Sequence, residues 1–335
     1  PQELRSKASR HRVLLQNTLK TSQSRIDLTQ DWDVVCYSVF GKMQSAALYY
    51  LFTGDRRAVR PAIEAMEAME ACSRKYWTFS SCIGVLDMDL RTAEAVLSMA
   101  MMKDCMQDAL DAGVQRRLRH LMIDRCLRPG LDAERHKTYP WMVSRANWRI
   151  ILCGCFAIGG MTYEDEFPET RALLDFGLEA MLTCFATGDE AGGWNEGPGY
   201  WDYGLGYAVA FARCLKIHTG GAVDLFQHPF LRKTGDFRLF MQPRPNEIWN
   251  WSDASKRTGS SITLLGLARA YRHPAYQWLS LANGVKTISQ LYLYDPTLKP
   301  RQPARESSRR YFPGGGGAVW REGFGPRDAY IGVQA

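Results

Sequence analysis

The feature that most constrains the fold of this chain is an amphipathic periodicity that recurs along most of its length. Apolar residues return at i, i+3, i+4 and i+7 in one stretch after another, which is the spacing of one face of an α-helix. Helices of about 15 to 20 residues joined by short turns predict antiparallel hairpins. The stretches predicted to be helical are Trp32–Gly54, Asp89–Leu110, Val114–Leu127, Asn147–Gly160, Glu169–Thr187, Tyr203–Ile217, Ser260–Arg272 and Pro274–Ala282.

A Thr-Gly-Asp triplet punctuates this pattern at Thr53–Asp55, Thr187–Asp189 and Thr234–Asp236. Glycine commonly follows the last turn of a helix and aspartate favours turns, so each triplet predicts a helix end. Since no strict sequence repeat is visible, the pattern indicates a mainly α fold arranged as a layered helical toroid or solenoid.

The composition changes near the end of the chain. Residues 299–317 are rich in proline, arginine and glycine and predict a linker, whereas Ala318–Gly323 and Asp328–Ala335 predict two short strands. Two strands alone do not form a stable sheet, so they either pair with the helical domain or begin a truncated β domain. We favour the second interpretation, with a helical domain over residues 1–298 and the first strands of a β domain over residues 318–335.

The charge balance limits the kinds of partner that are expected, and the cysteine pattern limits the kinds of metal site or disulfide. The 335 residues include 42 Lys or Arg and 35 Asp or Glu, a formal net charge of +7, which suits an anionic partner or substrate. The sequence has no nucleic-acid-binding motif and no apolar run of the roughly 18 residues that span a membrane. The nine cysteines form no CxxC pair and the six histidines form no HxxxH pair, which predicts buried free thiols and no metal site.

Three aromatic-rich stretches interrupt the helical pattern and contain the candidate site residues. Loops at one end of a helical barrel can converge on one cleft, and a sugar-binding cleft requires rings, amides and cations together. The stretches are Glu134–Arg149, Gly192–Tyr207 and Asn246–Arg257. The candidate substrate-binding residues within them are His136, Arg145, Trp148, Trp194, Glu196, Trp201, Tyr203, Trp251 and Asp253.

Tyr200 follows Glu-Gly-Pro-Gly and is expected near the first turn of the next helix. The partial positive charge of a helix N-terminus favours the phenolate form of a tyrosine. Tyr200, Tyr203 and Tyr207 have a spacing that places them on one helical face. Ordinary aromatic packing is the competing interpretation, and it is favoured for Tyr203 and Tyr207.

The ordered segments ANWRIILCGCFAIGG, GGWNEGPGYWDYGLGY, IWNWSDA and YFPGGGGAVWREGFGPRDAYIGVQA resemble the heparinase II/III-like polysaccharide lyases. These include relatives that act on alginate and on glycosaminoglycans. The resemblance extends from Trp141 to the end of the chain. It implies an incomplete (α/α) toroid of antiparallel helix hairpins followed by a β-sandwich domain, and it implies a bacterial protein of the periplasm or the secreted fraction.

Lyases of this family cleave beside a uronic acid by β-elimination. The carboxylate on C5 must be neutralised before the weakly acidic C5 proton can leave, and an amide or imidazole can do this. The resemblance implies that Asn147 neutralises the carboxylate and that Tyr200 protonates the leaving glycosidic oxygen, and in some members the tyrosine is also the base. Asp253 matches a recurring family aspartate, for which a role in shaping the cleft is expected before a catalytic one.

The sequence departs from the family pattern at two places. Trp148 stands where members often carry a histidine after the asparagine, so Arg145, Arg149 or His136 are candidates for part of the missing function. The family's β-domain segment with a catalytic histidine and, in some members, metal ligands would lie beyond Ala335. The resemblance therefore implies no cofactor within this chain and leaves a metal in the missing part open.

Two other functions fit the same residues. A glycoside hydrolase on an (α/α) barrel would need two carboxylates across a cleft, for which Glu196 with Asp202 or Asp253 are the candidates. A non-catalytic carbohydrate-binding or scaffold protein would need only the aromatic and polar cleft.

Overall fold

A computed structural model describes residues 2–73, 77, 80–81, 84–85, 88–244, 246–257, 259–282, 284–306 and 308–334, with the side chains of 33–34, 80–81 and 84–85 left out. The chain forms two compact units. The first unit comprises Pro1–Ser144, Ile151–Leu178 and Thr287–Tyr292, and the second comprises Arg145–Ile150, Glu179–Lys286 and Leu293–Ala335.

The protein is mainly helical, with short strands. The helices are α1 (Gln2–Arg10), α2 (Arg12–Ser22), α3 (Trp32–Thr53), α4 (Val59–Ala71), α5 (Leu90–Met106), α6 (Ala112–Met122), α7 (Arg128–His136), α8 (Asn147–Tyr163), α9 (Arg171–Phe185), α10 (Gly197–His218), α11 (Pro229–Phe240), α12 (Ile262–Tyr271), α13 (Pro274–Ser280) and α14 (Ile288–Leu293). The strands are β1 (Ser80–Ser81), β2 (Gly84–Val85), β3 (Ser308–Phe312), β4 (Gly317–Arg321) and β5 (Tyr330–Gln334).

The core of the first unit is built around α3, which packs against α2, α4 and α5. Val39, Met43, Met66 and Met99 are fully buried there. Asp89 is the N-cap of α5 and forms a capping box. Its carboxylate accepts from the Arg91 N–H, and the Thr92 hydroxyl oxygen accepts from the Asp89 N–H.

The core of the second unit is built around α10, which packs against α11 and α12. The approach of α10 and α12 is close: a Cβ added at Gly266 would lie 2.4 Å from the Val209 side chain. Val209 and the neighbouring Ala208 and Ala212 are buried. Small residues at this crossing therefore bring the two helix backbones together.

A three-stranded antiparallel sheet in the order β3-β4-β5 belongs to the second unit. Ser308 is opposite Arg321 in the β3–β4 pair, and Gly317 is opposite Gln334 in the β4–β5 pair. The sheet packs on α11, since the Phe312 ring lies 5.2 Å from that of Phe237 at 85°. The buried Arg321 guanidinium donates hydrogen bonds of 3.3 Å to backbone carbonyls after α11, at Gln242 and Pro243.

The predicted linker and the predicted domain boundary can be compared with the position of β3 and with the second unit. Residues 299–317 are not only a linker, because β3 lies within them and supplies the outer partner that β4 needs. The boundary at residue 298 does not separate helices from strands, because the second unit contains both. The sheet thus packs on a helix of the same unit, α11.

The predicted helices all exist, with one informative difference in extent and one false turn. α10 begins at Gly197, six residues before the predicted start at Tyr203. The triplet Thr234–Asp236 lies inside α11 and ends no helix. A Cβ at Gly235 would lie 2.3 Å from the Tyr276 ring, so this glycine permits close packing rather than a turn.

Within the described residues, no helix is both long and apolar enough to cross a membrane. Cys105, Cys126 and Cys184 are free thiols, and Cys82 lies outside the described residues.

Candidate functional site

The loop before α10 and its first turn are fixed by two glycines with left-handed backbones. Gly192 has φ +91° and Gly197 has φ +78°, a region that residues with a side chain rarely adopt. A Cβ at Gly192 would lie 2.6 Å from the backbone of Thr234, and one at Gly197 would lie 2.9 Å from the Ser252 side chain. The loop is therefore pressed against α11 on one side and against the segment after Trp251 on the other.

Glu196 holds the N-cap position of α10 but makes no side-chain capping bond to the helix. Its carboxylate instead accepts hydrogen bonds from Asn147, at the start of α8. The Asn147 backbone N–H donates to Oε2 at 2.8 Å and its Nδ2 donates to Oε1 at 2.5 Å. The Trp194 indole N–H donates a third bond to Oε2 at 3.1 Å. A carboxylate at this place usually caps its own helix, and here it joins two helix starts.

Asn147 packs along the first two turns of α10. A Cβ at Gly204 would lie 2.8 Å from the Asn147 Cβ, while the Asn147 side chain reaches Glu196. Glu196, Tyr200 and Gly204 are spaced i, i+4 and i+8, which is one face of the helix. Tyr200, half-buried, therefore occupies the position in the helix between the two residues that contact Asn147.

Two buried polar atoms at the start of α8 have no hydrogen-bond partner among the described residues: the amide oxygen Oδ1 of Asn147 and the Nε of Arg149. Asn147 is 3% exposed and Arg149 is 6% exposed. The Arg149 Nη2 donates to Glu179 at 2.9 Å, so only part of its guanidinium is engaged. A buried acceptor and a buried donor without partners carry a cost of about 1 to 3 kcal/mol each, which a bound polar group would offset.

Burial raises the pKa of Glu196, and the hydrogen bonds from Asn147 and Trp194 only partly counter this. Cys184 lies nearby, with its thiol 3.9 Å from the Ala146 carbonyl oxygen. Burial raises the pKa of the Cys184 thiol to about 11, with weaker electrostatic effects from Arg149 and Glu196. At neutral pH this cysteine is a protonated packing residue, not a nucleophile.

Replacing Glu196 with glutamine should flatten the pH dependence of stability. Below about pH 4.5 the Glu196 carboxyl is protonated in both the folded and the unfolded chain. Because the pKa of Glu196 is raised in the folded state, ionisation is less favourable in the folded chain than in the unfolded chain. The wild-type free energy of unfolding therefore falls as pH rises from the unfolded pKa through the folded pKa. Glutamine does not titrate. In urea unfolding from pH 4 to about 7.5, the free energy of unfolding of Glu196→Gln should therefore rise relative to that of the wild type as pH rises.

The matched control for that experiment is Glu190→Gln, at an exposed carboxyl in the same loop. Its stability should run parallel to that of the wild type across the pH range. Parallel curves for Glu196→Gln and the wild type would contradict a raised pKa at Glu196.

The segment after Trp251 lies against the start of α10. A Cβ at Gly199 would lie 3.2 Å from Ala254, just as Gly197 abuts Ser252. Asp253, between these two contacts, is exposed. The second and third aromatic-rich stretches therefore meet at the N-terminus of α10, and the start of α8 joins them through Asn147.

The three tryptophans among the candidate substrate-binding residues point into the protein. Trp194 and Trp201 are completely buried and Trp251 is 8% exposed. The Trp201 indole N–H donates to the Thr234 hydroxyl at 2.7 Å, and the Trp251 ring packs 6.3 Å from that of Phe237. These rings support the loops from inside instead of contacting a ligand.

The remaining candidates differ in their exposure and in the unit to which they belong. Arg145 is exposed and Trp148 is half-buried, both at the start of α8. Tyr203 is half-buried and makes an edge contact with Tyr207 at 5.8 Å. His136 lies in the first unit as the exposed last residue of α7, 2.9 Å from the Asp132 carbonyl oxygen, so it is not in the unit that holds the other candidates.

Asp202 is committed to a structural network. Its Oδ2 accepts from the Nε of Arg238 at 2.7 Å, its Oδ1 accepts from the Ser261 hydroxyl, and its carbonyl accepts from Thr263 at 3.0 Å. Arg238 is completely buried. Both carboxylate oxygens are therefore engaged, which leaves Asp253 as the better partner of Glu196 for a two-carboxylate reaction.

No family model and no curated protein matches this sequence. The function must therefore be inferred from the site itself.

Sequence reasoning missed the Asn147–Glu196 pair and Arg149 as a buried cation. Asn147 and Glu196 are 49 positions apart, and no local pattern predicts that pairing. The only signal was Gly204, a glycine in a helix on the same face as Glu196, which permits a close approach. As for metals, no group of three His, Cys, Asp or Glu side chains in the described part of the chain is placed to hold one.

Proposed function

We propose that this protein is a polysaccharide lyase that cleaves an anionic, uronic-acid-containing polysaccharide by β-elimination. Tyr200 is the general acid and Asn147 neutralises the uronate carboxylate. The observation that carries the proposal is the placement of a buried asparagine amide, with an unpartnered oxygen, along the helix face that also bears Tyr200.

The reaction requires three coupled bond changes. A base removes the C5 proton, the C5 electrons form a double bond to C4, and the C4–O4 bond breaks as O4 takes a proton. If Tyr200 serves as both base and acid, its phenolate takes the C5 proton and returns it to O4, and the protons balance without solvent.

Glu196 orients the amide that meets the substrate. In the conformation described, the Asn147 Nδ2 donates to Glu196, so the amide presents its oxygen. Substrate binding excludes water and favours the protonated carboxyl, whose O–H donates to the amide oxygen. The amide then turns by about 180° and presents Nδ2 to the uronate carboxylate. Arg149, with an unpartnered Nε, and the exposed Arg145 add positive charge beside that carboxylate.

Further properties belong to the same proposal. The helices form an incomplete (α/α) toroid, and the three-stranded sheet begins a β-sandwich. The protein is bacterial and acts on its polysaccharide substrate in the periplasm or outside the cell, with no cofactor held by this chain.

An activity screen tests the proposal. The protein is incubated with alginate, heparan sulfate, chondroitin sulfate and polygalacturonate, and the ultraviolet absorbance of the unsaturated uronate product is followed. Absorbance that grows with time on at least one polymer is expected, and none is expected on neutral dextran. Turnover of no acidic polymer, with the protein shown to be folded, would remove the lyase assignment.

A glycoside hydrolase is the second candidate, because burial raises the pKa of Glu196, which is the direction that a general acid requires. Asp253, exposed beside the start of α10, would be the second carboxylate. New reducing ends without an unsaturated product would favour this reaction. Oligosaccharide binding without either product would favour a carbohydrate-binding protein.

A further inference from the structure

A cavity of about 680 Å³ lies along the C-terminal half of α10, against α12 and the start of α11. Its volume is within the roughly 300 to 1,000 Å³ range of small-molecule sites. Part of its wall is apolar. Val209 and Ala210 come from α10, Ile262 comes from α12, and Leu293 is the last residue of α14. Ile262 is 44% exposed, so it adds an accessible aliphatic side chain to this wall.

The rest of the wall is strongly positive. Five cations line the cavity: Arg213, Lys216, Arg232, Arg269 and Arg272. The one lining carboxylate, Asp224, is already engaged, since it accepts from Lys216 Nζ at 2.8 Å and from the Phe226 N–H at 3.0 Å. Those hydrogen bonds hold the pKa of Asp224 below its usual value even though burial acts to raise it.

A second carboxylate, Asp295, lies behind this wall and accepts from Arg272 at 3.2 Å. Among the lining residues, five cations are therefore present for one carboxylate. Arg232, exposed on α11, bonds the Gln227 side chain and lies 6.0 Å from the Tyr271 ring, with no carboxylate partner among the described residues.

The cavity is separate from the candidate active site. Its α10 residues, from Gly206 to Lys216, lie on one stripe of the helix. At about 100° per residue, that stripe points on the order of 140° away from the face that carries Glu196, Tyr200 and Gly204. None of those three residues lines the cavity. A ligand here would contact a different side of α10 from the substrate.

We propose that this cavity binds a small organic polyanion, a molecule of sugar-acid or sugar-phosphate size with two or more negative groups and an apolar face. The anionic groups pair with Arg232 and its neighbours, since arginine forms directional charge-assisted hydrogen bonds with carboxylate and phosphate. The apolar face covers Ile262 and Val209. This site does not depend on the lyase assignment.

Calorimetric titration of the full chain tests the proposal with three probes: trigalacturonate, fructose bisphosphate and uncharged maltotriose. At least one anionic probe should bind, with an affinity that falls as sodium chloride is raised, and maltotriose should not bind. Tighter binding of trigalacturonate identifies carboxylates as the natural ligand groups, and tighter binding of the bisphosphate identifies phosphates.

Two variants locate that binding. Arg232→Glu reverses an exposed charge and should lower the affinity for the anionic probe by about tenfold or more. Ala210→Trp fills the cavity without changing its charge and should weaken the probe as much. The control Arg309→Glu makes the same charge change at an exposed residue of β3 and should bind as the wild type does.

The comparison is independent of the active site, because Arg232→Glu and Arg309→Glu both leave Tyr200 and Asn147 unchanged. Three results would overturn the proposal: no binding of either anion, equal binding of maltotriose, or equal affinities of the two charge-reversal variants.

Discussion

Tyr200→Phe is expected to lower kcat for β-elimination by about 100-fold or more, with little change in KM. The substitution removes only the hydroxyl that delivers a proton to the leaving oxygen, and positioned proton transfer contributes about 100-fold to 10,000-fold. Ring packing at the start of α10 is retained, so the variant should fold. The measurement is steady-state appearance of the unsaturated product on whichever acidic polymer the wild type cleaves.

Tyr207→Phe is the matched control for Tyr200→Phe. Tyr207 is also a half-buried tyrosine of α10, two turns further along, in edge contact with Tyr203. Its loss of a hydroxyl should change kcat by no more than about threefold, because its position is structural. Equal activities of wild type and Tyr200→Phe would show that the tyrosine transfers no proton.

The second large effect is expected on stability, at the ion pair between Asp202 and Arg238. Asp202→Ala would leave the completely buried Arg238 guanidinium without this carboxylate. Because the Asp202 side chain is 25% exposed, we expect a cost at the lower end of the about 3 to 5 kcal/mol found for fully buried pairs. Ser261 would lose its acceptor as well. The measurement is the free energy of unfolding from urea titration at neutral pH.

A double variant separates the ion pair from simple loss of packing. Asp202→Ala combined with Arg238→Met removes both charges, so it should be less destabilised than Asp202→Ala alone. Asp253→Ala, at an exposed aspartate, should change the free energy of unfolding by no more than about 0.5 kcal/mol. A similarly small change for Asp202→Ala would contradict the buried pair.

Helix existence could be predicted from the sequence, but the start of α10 could not. Gly197, Pro198 and Gly199 resemble a loop because glycine weakens a helix. Contacts from Ser252 and Ala254, distant in sequence, stabilise the helix there and leave no room for larger side chains. Local propensity was overridden by packing that no single stretch encodes.

The sequence singled out candidate residues for the site, but it did not predict the hydrogen bonds between them. The pattern around Tyr200 and Asn147 singled out both residues, and the structure places them on and against one face of α10. The pattern could not show that Trp194 and Trp201 are turned inward, since an aromatic residue in a loop is equally compatible with exposure and burial. Nor could it show that Glu196 bonds Asn147 in place of its own helix.

The buried thiols bear on where this protein can persist in its reduced form. Burial raises the pKa of Cys105 to about 12 and that of Cys184 to about 11. At pH 7 only roughly one Cys184 side chain in ten thousand is then a thiolate, the form that attacks disulfides. Such cysteines exchange slowly as long as the chain stays folded. Their reduced state is therefore compatible with an oxidising compartment as much as with a reducing one.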